Sequence, residues 1–319
     1  TIGITTHNSN LFVSELLFTI RQNLEFNPEL FSEIDVQIYD DNSNQDTLDI
    51  LKLYENIFKI TYNKNSNGTP AIGRNEIIRN SNSKYILFMD GDDNFICTLK
   101  ELVEELKYKD YDYITSSVRK IFNDGKIIDS PFIYNEKLFK SKEVTFDRIK
   151  EKLVVHQTGI WSIYRVEYIL NNNLFYNEIS RYEDNLYMTS FLLTNPRVGR
   201  LKTIYYGWRK NLSSFTSESD SSESRILLYK EILTLLEQNP HNVYSPYLLF
   251  SFWNQTYSNI IRKYPKMTTK EYKELFNSLK TIEKDHKNLI HRLHKSANLS
   301  YTDIYFKISV SNLYIKNVS

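Results

Sequence analysis

Apolar positions in the first 120 residues follow two alternating rhythms. Short β-branched or aromatic runs, Thr1–Thr5, Val36–Tyr39, Phe58–Thr61, Tyr85–Met89 and Asp112–Ser117, predict strands. Between them, Leu16, Leu17 and Ile20, then Leu48 and Leu51, then Ile77 and Ile78, then Leu99, Leu102, Val103 and Leu106 fall at helical spacing. Strands separated by helices predict an α/β fold with a Rossmann-like, mostly parallel central sheet and flanking helices. Its right-handed crossovers gather the ligand-binding loops at the carboxyl ends of the strands.

Beyond residue 120 the rhythm changes. Asn123-Asp124-Gly125 between apolar residues signals a hairpin turn. Gly159–Arg165 and Thr203–Lys210 read as strands around a helical Asp184–Thr194, an α+β elaboration of the same sheet. Residues 213–224 hold seven Ser among twelve positions, which predicts a mobile loop or linker and a domain boundary. Arg225–Gln238 and Tyr244–Lys263 then read as helices. The capping box Thr268-x-x-Glu271 opens another segment, carrying Tyr272, Leu275, Phe276, Leu279, Ile282, Leu289, Ile290 and Leu293, and a last helix starts near Tyr301. The expected domains are 1–217 and an all-helical C-terminal subdomain over 218–319, placed for acceptor, partner or oligomer contacts.

Composition narrows the chemistry. With 40 Lys and Arg against 39 Asp and Glu among 319 residues, no bulk field draws the chain to nucleic acid. The single Cys97 rules out an internal disulfide and a thiolate metal cluster, and points to a reducing compartment. No apolar run approaches the roughly 18 residues of a membrane span and no leader pattern opens the chain, so a cytoplasmic setting is expected. Between Arg262 and Lys295, ten Lys or Arg face four Asp or Glu, with three His besides. Such a stretch is by default a solvated helix face. It could also attract an anionic acceptor polymer or the inner face of a membrane, as a peripheral association.

The sharpest chemical signal is Tyr85-Ile-Leu-Phe-Met-Asp90-Gly91-Asp92-Asp93, a buried-type strand ending in three carboxylates around one glycine. Like charges that close repel unless a cation neutralises them, and hard oxygen ligands suit Mn²⁺ or Mg²⁺. The plain alternative is an Asp-rich surface turn. A second acidic strand end, Asp40-Asp41-Asn42-Ser43, would emerge on the same sheet edge, where a carboxylate can accept bonds from a base N–H or a ribose hydroxyl.

These elements together resemble the GT-A fold of the family 2 glycosyltransferases, which use nucleotide sugars and invert the anomeric centre. An opening strand runs into Thr5-Thr6-His7-Asn8, with His7 where the family has Tyr or Phe. Asp40-Asp41 is similar to the family's paired-Asp motif, and Asn67-Gly68 with Gly73-Arg74-Asn75 to its Asn-Gly and Arg-Asn pair. Asp90-Gly91-Asp92-Asp93 resembles its DXD element and Tyr182-Glu183-Asp184 its late Glu-Asp pair, so the likeness covers about residues 1–217.

The resemblance implies that Thr5, His7 and Asp41 hold the nucleoside, that Arg74 contacts the nucleobase or phosphate, and that Asp90 holds the ribose. Asp92, with Asp90, would bind the metal and Asp93 would assist. Asp184 becomes the general base, consistent with inversion, which needs a carboxylate opposite the leaving group. Without the other motifs, Glu183-Asp184 would read simply as acidic residues at a helix N-terminus. Arg209, in Tyr206-Gly207-Trp208-Arg209-Lys210, is a candidate pyrophosphate contact, and 211–224 a candidate lid. His156 could line the sugar or acceptor pocket; Trp161 and Trp208 could stack on a pyranose, with core packing the plainer role.

The expected activity is therefore a metal-dependent inverting transfer. The donor would be a UDP-hexose or UDP-N-acetylhexosamine. The acceptor would be a hydroxyl of a bacterial surface glycan, teichoic-acid-like polymer or glycoprotein. The rivals are a nucleotidyltransferase, for which the loop after the first strand lacks a Gly-rich phosphate cradle, and a non-catalytic GT-A scaffold recruiting partner transferases. Homo-oligomerisation through the helical tail would be compatible with any of them.

Overall fold

The structure is a computed structural model that describes residues 1–65, 69–122, 126–130, 159–178, 182–210, 222–263 and 267–296. The chain divides into two compact units, Thr1–Tyr134 with Val154–Ser214, and Asn135–Leu153 with Phe215–Ser319. The first opens with the predicted succession: β1 (Ile2–Thr6), α1 (Asn10–Phe26), β2 (Val36–Asp41), α2 (Gln45–Lys52), β3 (Lys59–Asn63), α3 (Ala71–Asn80) and β4 (Tyr85–Asp90). It continues through β5 (Asn94–Phe95), α4 (Leu99–Lys107), β6 (Tyr113–Thr115), β7 (Val118–Phe122), β8 (Ile127–Ser130), β9 (Ser162–Arg165), α5 (Val166–Asn171), α6 (Glu183–Leu193), β10 (Val198–Arg200) and β11 (Tyr206–Lys210).

Seven strands form the main sheet in the order β10-β6-β9-β4-β1-β2-β3. β1 to β4 run parallel where they pair, and β9 is antiparallel to both β4 and β6. The central strands β1 and β4 read as nearly continuous apolar runs because both their faces are covered. On one side α1 lays down Val13, Leu16, Leu17, Ile20 and Leu24, all buried on one helical stripe. α3 lies close against β1 and β2, where Gly73 is needed: a Cβ there would stand 2.6 Å from a ring carbon of Tyr39.

The expected extension of the main sheet is met in part: β9, within the predicted Gly159–Arg165, enters it between β4 and β6, whereas β11, within the predicted Thr203–Lys210, belongs to a separate four-stranded sheet, β5-β11-β7-β8. The predicted strand Asp112–Ser117 is shorter than expected, and a second strand, β7, begins just beyond its bounds. β6 stays in the main sheet, and β7 joins the second after Ser116 and Ser117, small buried residues that bond locally, Ser116 Oγ donating to Ser117 O at 3.0 Å. β7 and β8 pair antiparallel, as a hairpin requires, although its turn, 123–125, lies outside the described residues.

In the second unit the described helices are α7 (Ser222–Gln238), α8 (Ser245–Lys263), α9 (Thr269–Asp285) and α10 (Lys287–Ser296). α7 packs on α8 and α9, and α8 on α10. The Thr268 capping box closes as predicted: Thr268 Oγ1 accepts from Glu271 N at 3.2 Å while the Glu271 carboxylate accepts from Thr268 N at 2.7 Å. Two expectations shift. The end of the Ser-rich stretch, Ser222–Ser224, forms the first turn of α7, and the segment after Thr268 breaks at His286, where the φ and ψ of −100° and 18° end α9. The remainder of the candidate lid, 211–221, and the helix from Tyr301 lie outside the described residues. Among the described residues no helix is long and apolar enough to cross a membrane.

Candidate functional site

The parallel register brings three strand ends together. Thr5 of β1 is level with Asp90 of β4, and Thr6 with Asp40 of β2. Just past β1 and β2, Asn8 and Asn42 adopt φ of 51° and 57°, the left-handed region that asparagine tolerates better than most residues, so both chains turn away at once. The two turns are laced together. Asn8 N donates to Ser43 Oγ at 2.9 Å and Asn44 N to Asn8 Oδ1 at 2.7 Å. His7 Nδ1 donates to Asp41 O at 2.7 Å, and its Nε2 accepts from Asn8 Nδ2 at 2.9 Å, which fixes the tautomer. Asp40 is buried and accepts from Ser43 N at 3.1 Å, whereas the partly exposed Asp41 carboxylate accepts from Asn63 Nδ2 at 3.0 Å.

At the end of β4, carboxylate oxygens of Asp90, Asp92 and Asp93 all lie within 4.8 Å of one another. Gly91 permits the turn: its N donates to Thr5 O at 2.8 Å, and a Cβ would stand 2.8 Å from Thr6 Cβ and Oγ1. Burial and the Asp90 charge push the Asp92 carboxyl up to about 6, and Asp93, more deeply buried beside both, is raised as well. Both Asp93 oxygens are committed, one to the Tyr206 hydroxyl and the other to Arg209 N at 2.8 Å. Asp90 and Asp92 are thus the residues of the cluster whose oxygens suit a hard divalent cation.

Arg74 stands behind Asp90. It is 2% exposed, and its guanidinium reaches Asp90 Oδ1 at 2.9 Å and Glu183 Oε1 at 3.0 Å, over the Tyr176 ring. Those carboxylates hold its charge more firmly than usual against burial. Glu183, the first residue of α6, is 8% exposed; burial and the adjacent Asp184 push its carboxyl up to about 7 despite the arginine. Asp184, partly exposed in the same first turn, accepts from Asn185 N at 2.8 Å. The acidic pair does sit at a helix N-terminus, and it is also tied to the strand end 93 residues earlier through Arg74.

Thr5, Asp90 and Arg74 are in contact, Thr5 Oγ1 lying 3.5 Å from Asp90 Oδ1. His7 and Asp41 close the neighbouring strand ends, and Glu183 brings Asp184 to the same group. Arg209 joins from β11: its Nε donates to Asp92 O at 3.2 Å, while Nη2 reaches Glu15 at 2.8 Å and also Asn94. Trp161 and Trp208 pack against the hydrophobic core, their rings 5.0 Å apart, as the plainer alternative held. Asn67-Gly68 and His156 lie outside the described residues. The sequence did not foresee Tyr206 as a partner of Asp93, and it marked Asn75 only as part of the Arg-Asn pair, not as the residue that grips the backbone of Tyr176 on both sides. The alternation Tyr206-Gly207-Trp208 was a signal for the first; nothing local names the partner of the second.

The chain is similar to known proteins in sequence and in fold. The poly(ribitol-phosphate) beta-N-acetylglucosaminyltransferase TarS of Staphylococcus aureus is 24% identical over 80% of this chain. The minor teichoic acid biosynthesis protein GgaA of Bacillus subtilis is also 24% identical, over 78%. The chain spans only 44% of TarS and 57% of GgaA. In structure, it matches S. aureus TarS 1-349 in complex with UDP-GlcNAc with a TM-score of 0.67 at 21% identity, covering 93% of this chain and 87% of that one, a likeness of fold. The profile described as "Glycosyl transferase family 2" matches residues 1–170, more than half of the chain and the part that holds β1 to β4 with their acidic ends, and the chain therefore belongs to glycosyl transferase family 2.

Proposed function

We propose that the chain transfers N-acetylglucosamine, or a related N-acetylhexosamine, from its UDP-sugar to a hydroxyl of a polyol-phosphate polymer of the teichoic-acid type, with inversion. The observation that carries the reading is the joining of the acidic strand end Asp90–Asp93 to Glu183-Asp184 through one buried arginine. The donor and polymer classes come from the names of TarS and GgaA and from the UDP-GlcNAc bound by the TarS structure. Exposed lysines 270, 273, 280, 284, 287 and 295 on α9 and α10 suit a polyanionic acceptor.

Asp90 and Asp92 would hold Mn²⁺ or Mg²⁺; burial and then the Asp90 charge raise Asp92, and a cation between the two would offset both. Such an ion supplies positive charge to the departing diphosphate. Thr5, His7 and Asp41 line the nucleoside end, with the His7 tautomer and the Asp41 carboxylate fixed by their neighbours. Arg209 is anchored by Asp93, Glu15 and Asn94 beside Asp92, adding a cation at the pyrophosphate end. Asp184 takes the proton of the acceptor hydroxyl as that oxygen bonds to the anomeric carbon; the bond from that carbon to phosphate breaks, and UDP leaves with the electron pair. One displacement inverts the centre and needs no covalent enzyme intermediate.

UDP release from a panel of UDP-sugars, with a ribitol-phosphate oligomer as acceptor, tests the reading in Mn²⁺ and again after EDTA. Release from UDP-GlcNAc that vanishes with EDTA and in Asp92→Asn is expected. Donor binding with no turnover on any acceptor would favour a scaffold instead.

A further inference from the structure

Arg74 lies between two carboxylates that serve different substrates in the glycosyl-transfer reading. Nη2 meets Asp90, at the donor end, and Nη1 meets Glu183, beside the acceptor's base, in one buried group. A planar, permanently charged fork can hold two carboxylates at a set separation; a lysine ammonium has no such geometry. The next residue strengthens the grip. Asn75 Nδ2 donates to Tyr176 O at 2.9 Å and to Glu178 at 3.0 Å, and Asn75 Oδ1 accepts from Tyr176 N at 2.8 Å. Two consecutive residues of α3 therefore clamp the chain that leads into α6, one before the helix and one at its first residue.

We propose that Glu183 is a positioning residue: acting through Arg74, it locks the first turn of α6, and with it Asp184, to the donor-holding Asp90. This rests on the glycosyl-transfer reading. A charge pair buried at both ends resists displacement, because moving either member leaves the other uncompensated. A carboxylate base shifted by about 1 Å from its substrate costs on the order of 10²-fold in rate. Glu183 thus controls how well the base is aimed and leaves the donor surface itself in place.

The test compares the whole wild-type chain with Glu183→Gln, Arg74→Lys and the double variant. UDP-GlcNAc affinity is measured by calorimetry in Mn²⁺, and kcat and KM by transfer to a ribitol-phosphate oligomer. Glu183→Gln is expected to keep donor affinity within about threefold while kcat falls on the order of 10²-fold. The double variant is expected to be no slower than the slower single one, since both act through one contact. A donor-affinity loss that matches the kcat loss would overturn the proposal, placing the Arg74 Nε–H, which has no hydrogen-bond partner among the described residues, on the donor. Unchanged kcat in Glu183→Gln, or additive losses in the double variant, would overturn it equally. If circular dichroism finds Glu183→Gln unfolded, Glu183→Asp, which keeps the charge but withdraws it from Arg74, decides by the same split between kcat and donor affinity. A wild-type chain that binds UDP-GlcNAc but transfers nothing removes the transfer reading itself, a result distinct from all of these.

Discussion

Neighbouring carboxylates in this site differ in what they can do because their partners differ. Asp93 has spent both oxygens on Tyr206 and Arg209, while Asp92 remains a strained, half-shielded acid. Asp184 is partly exposed and its Oδ1 is already acceptor to Asn185 N, so Asp184→Asn keeps an oxygen where the helix needs one. That variant should fold, bind UDP-GlcNAc as the wild type does, and lose about 10²- to 10⁴-fold in transfer, the span expected of a general base. Calorimetry beside a transfer assay checks it; normal transfer would exclude Asp184 from the role. The acidic triplet was legible in sequence because its spacing is local. The Arg74–Glu183 pair was not, since its members are 109 residues apart and only the fold brings them within 3.0 Å.

Among elements, the turn after β4 carries the tightest constraint. Gly91 lies against Thr6 at the end of β1, and a methyl group there has no room without moving one strand end. Gly91→Ala should cost about 1–3 kcal/mol of stability by overpacking, and should also weaken Mn²⁺ binding because Asp90 and Asp92 flank the displaced residue. Denaturant melts and a Mn²⁺ titration followed by electron paramagnetic resonance would show both effects; a variant with wild-type stability would mean that Thr6 yields freely. Helix and strand positions in this half follow directly from apolar periodicity. Of the small second sheet only the β7–β8 hairpin did, because its other pairings are distant: β11 lies against β5, more than a hundred residues earlier, and its alternation alone names no neighbour.

At the scale of the whole chain, the helical unit carries its own titration. Glu283 on α9 accepts from Trp253 Nε1 at 3.0 Å and from the Tyr257 hydroxyl at 3.2 Å, and burial pushes its carboxyl up to about 7 although these two hydrogen bonds, and Lys280 after them, oppose the shift. The folded unit therefore holds this proton more tightly than the unfolded chain, whose ordinary value is 4.5. The sign follows: the contribution to stability is full below about 4.5 and is lost as pH rises toward about 7. Glu283→Gln should remove that slope. Denaturation midpoints at about pH 5 and about pH 8, read by tryptophan fluorescence, check it; an unchanged slope in the variant would assign it to other groups.

The sequence by itself determined the alternation of strands and helices, the acidic strand ends and the helical character of the described residues from Ser222 onward. Each of these rests on interactions within a few residues: apolar period, turn chemistry, caps and the repulsion of adjacent carboxylates. Only the tertiary structure decided that Arg74 spans Asp90 and Glu183, that Asp93 anchors β11 through Tyr206, and that β5, β7, β8 and β11 form a second sheet while β9 enters the main one. Those outcomes depend on which distant groups share a buried space, where an unpaired charge is costly and a pair of suitable geometry is retained. No local pattern along the chain encodes that choice.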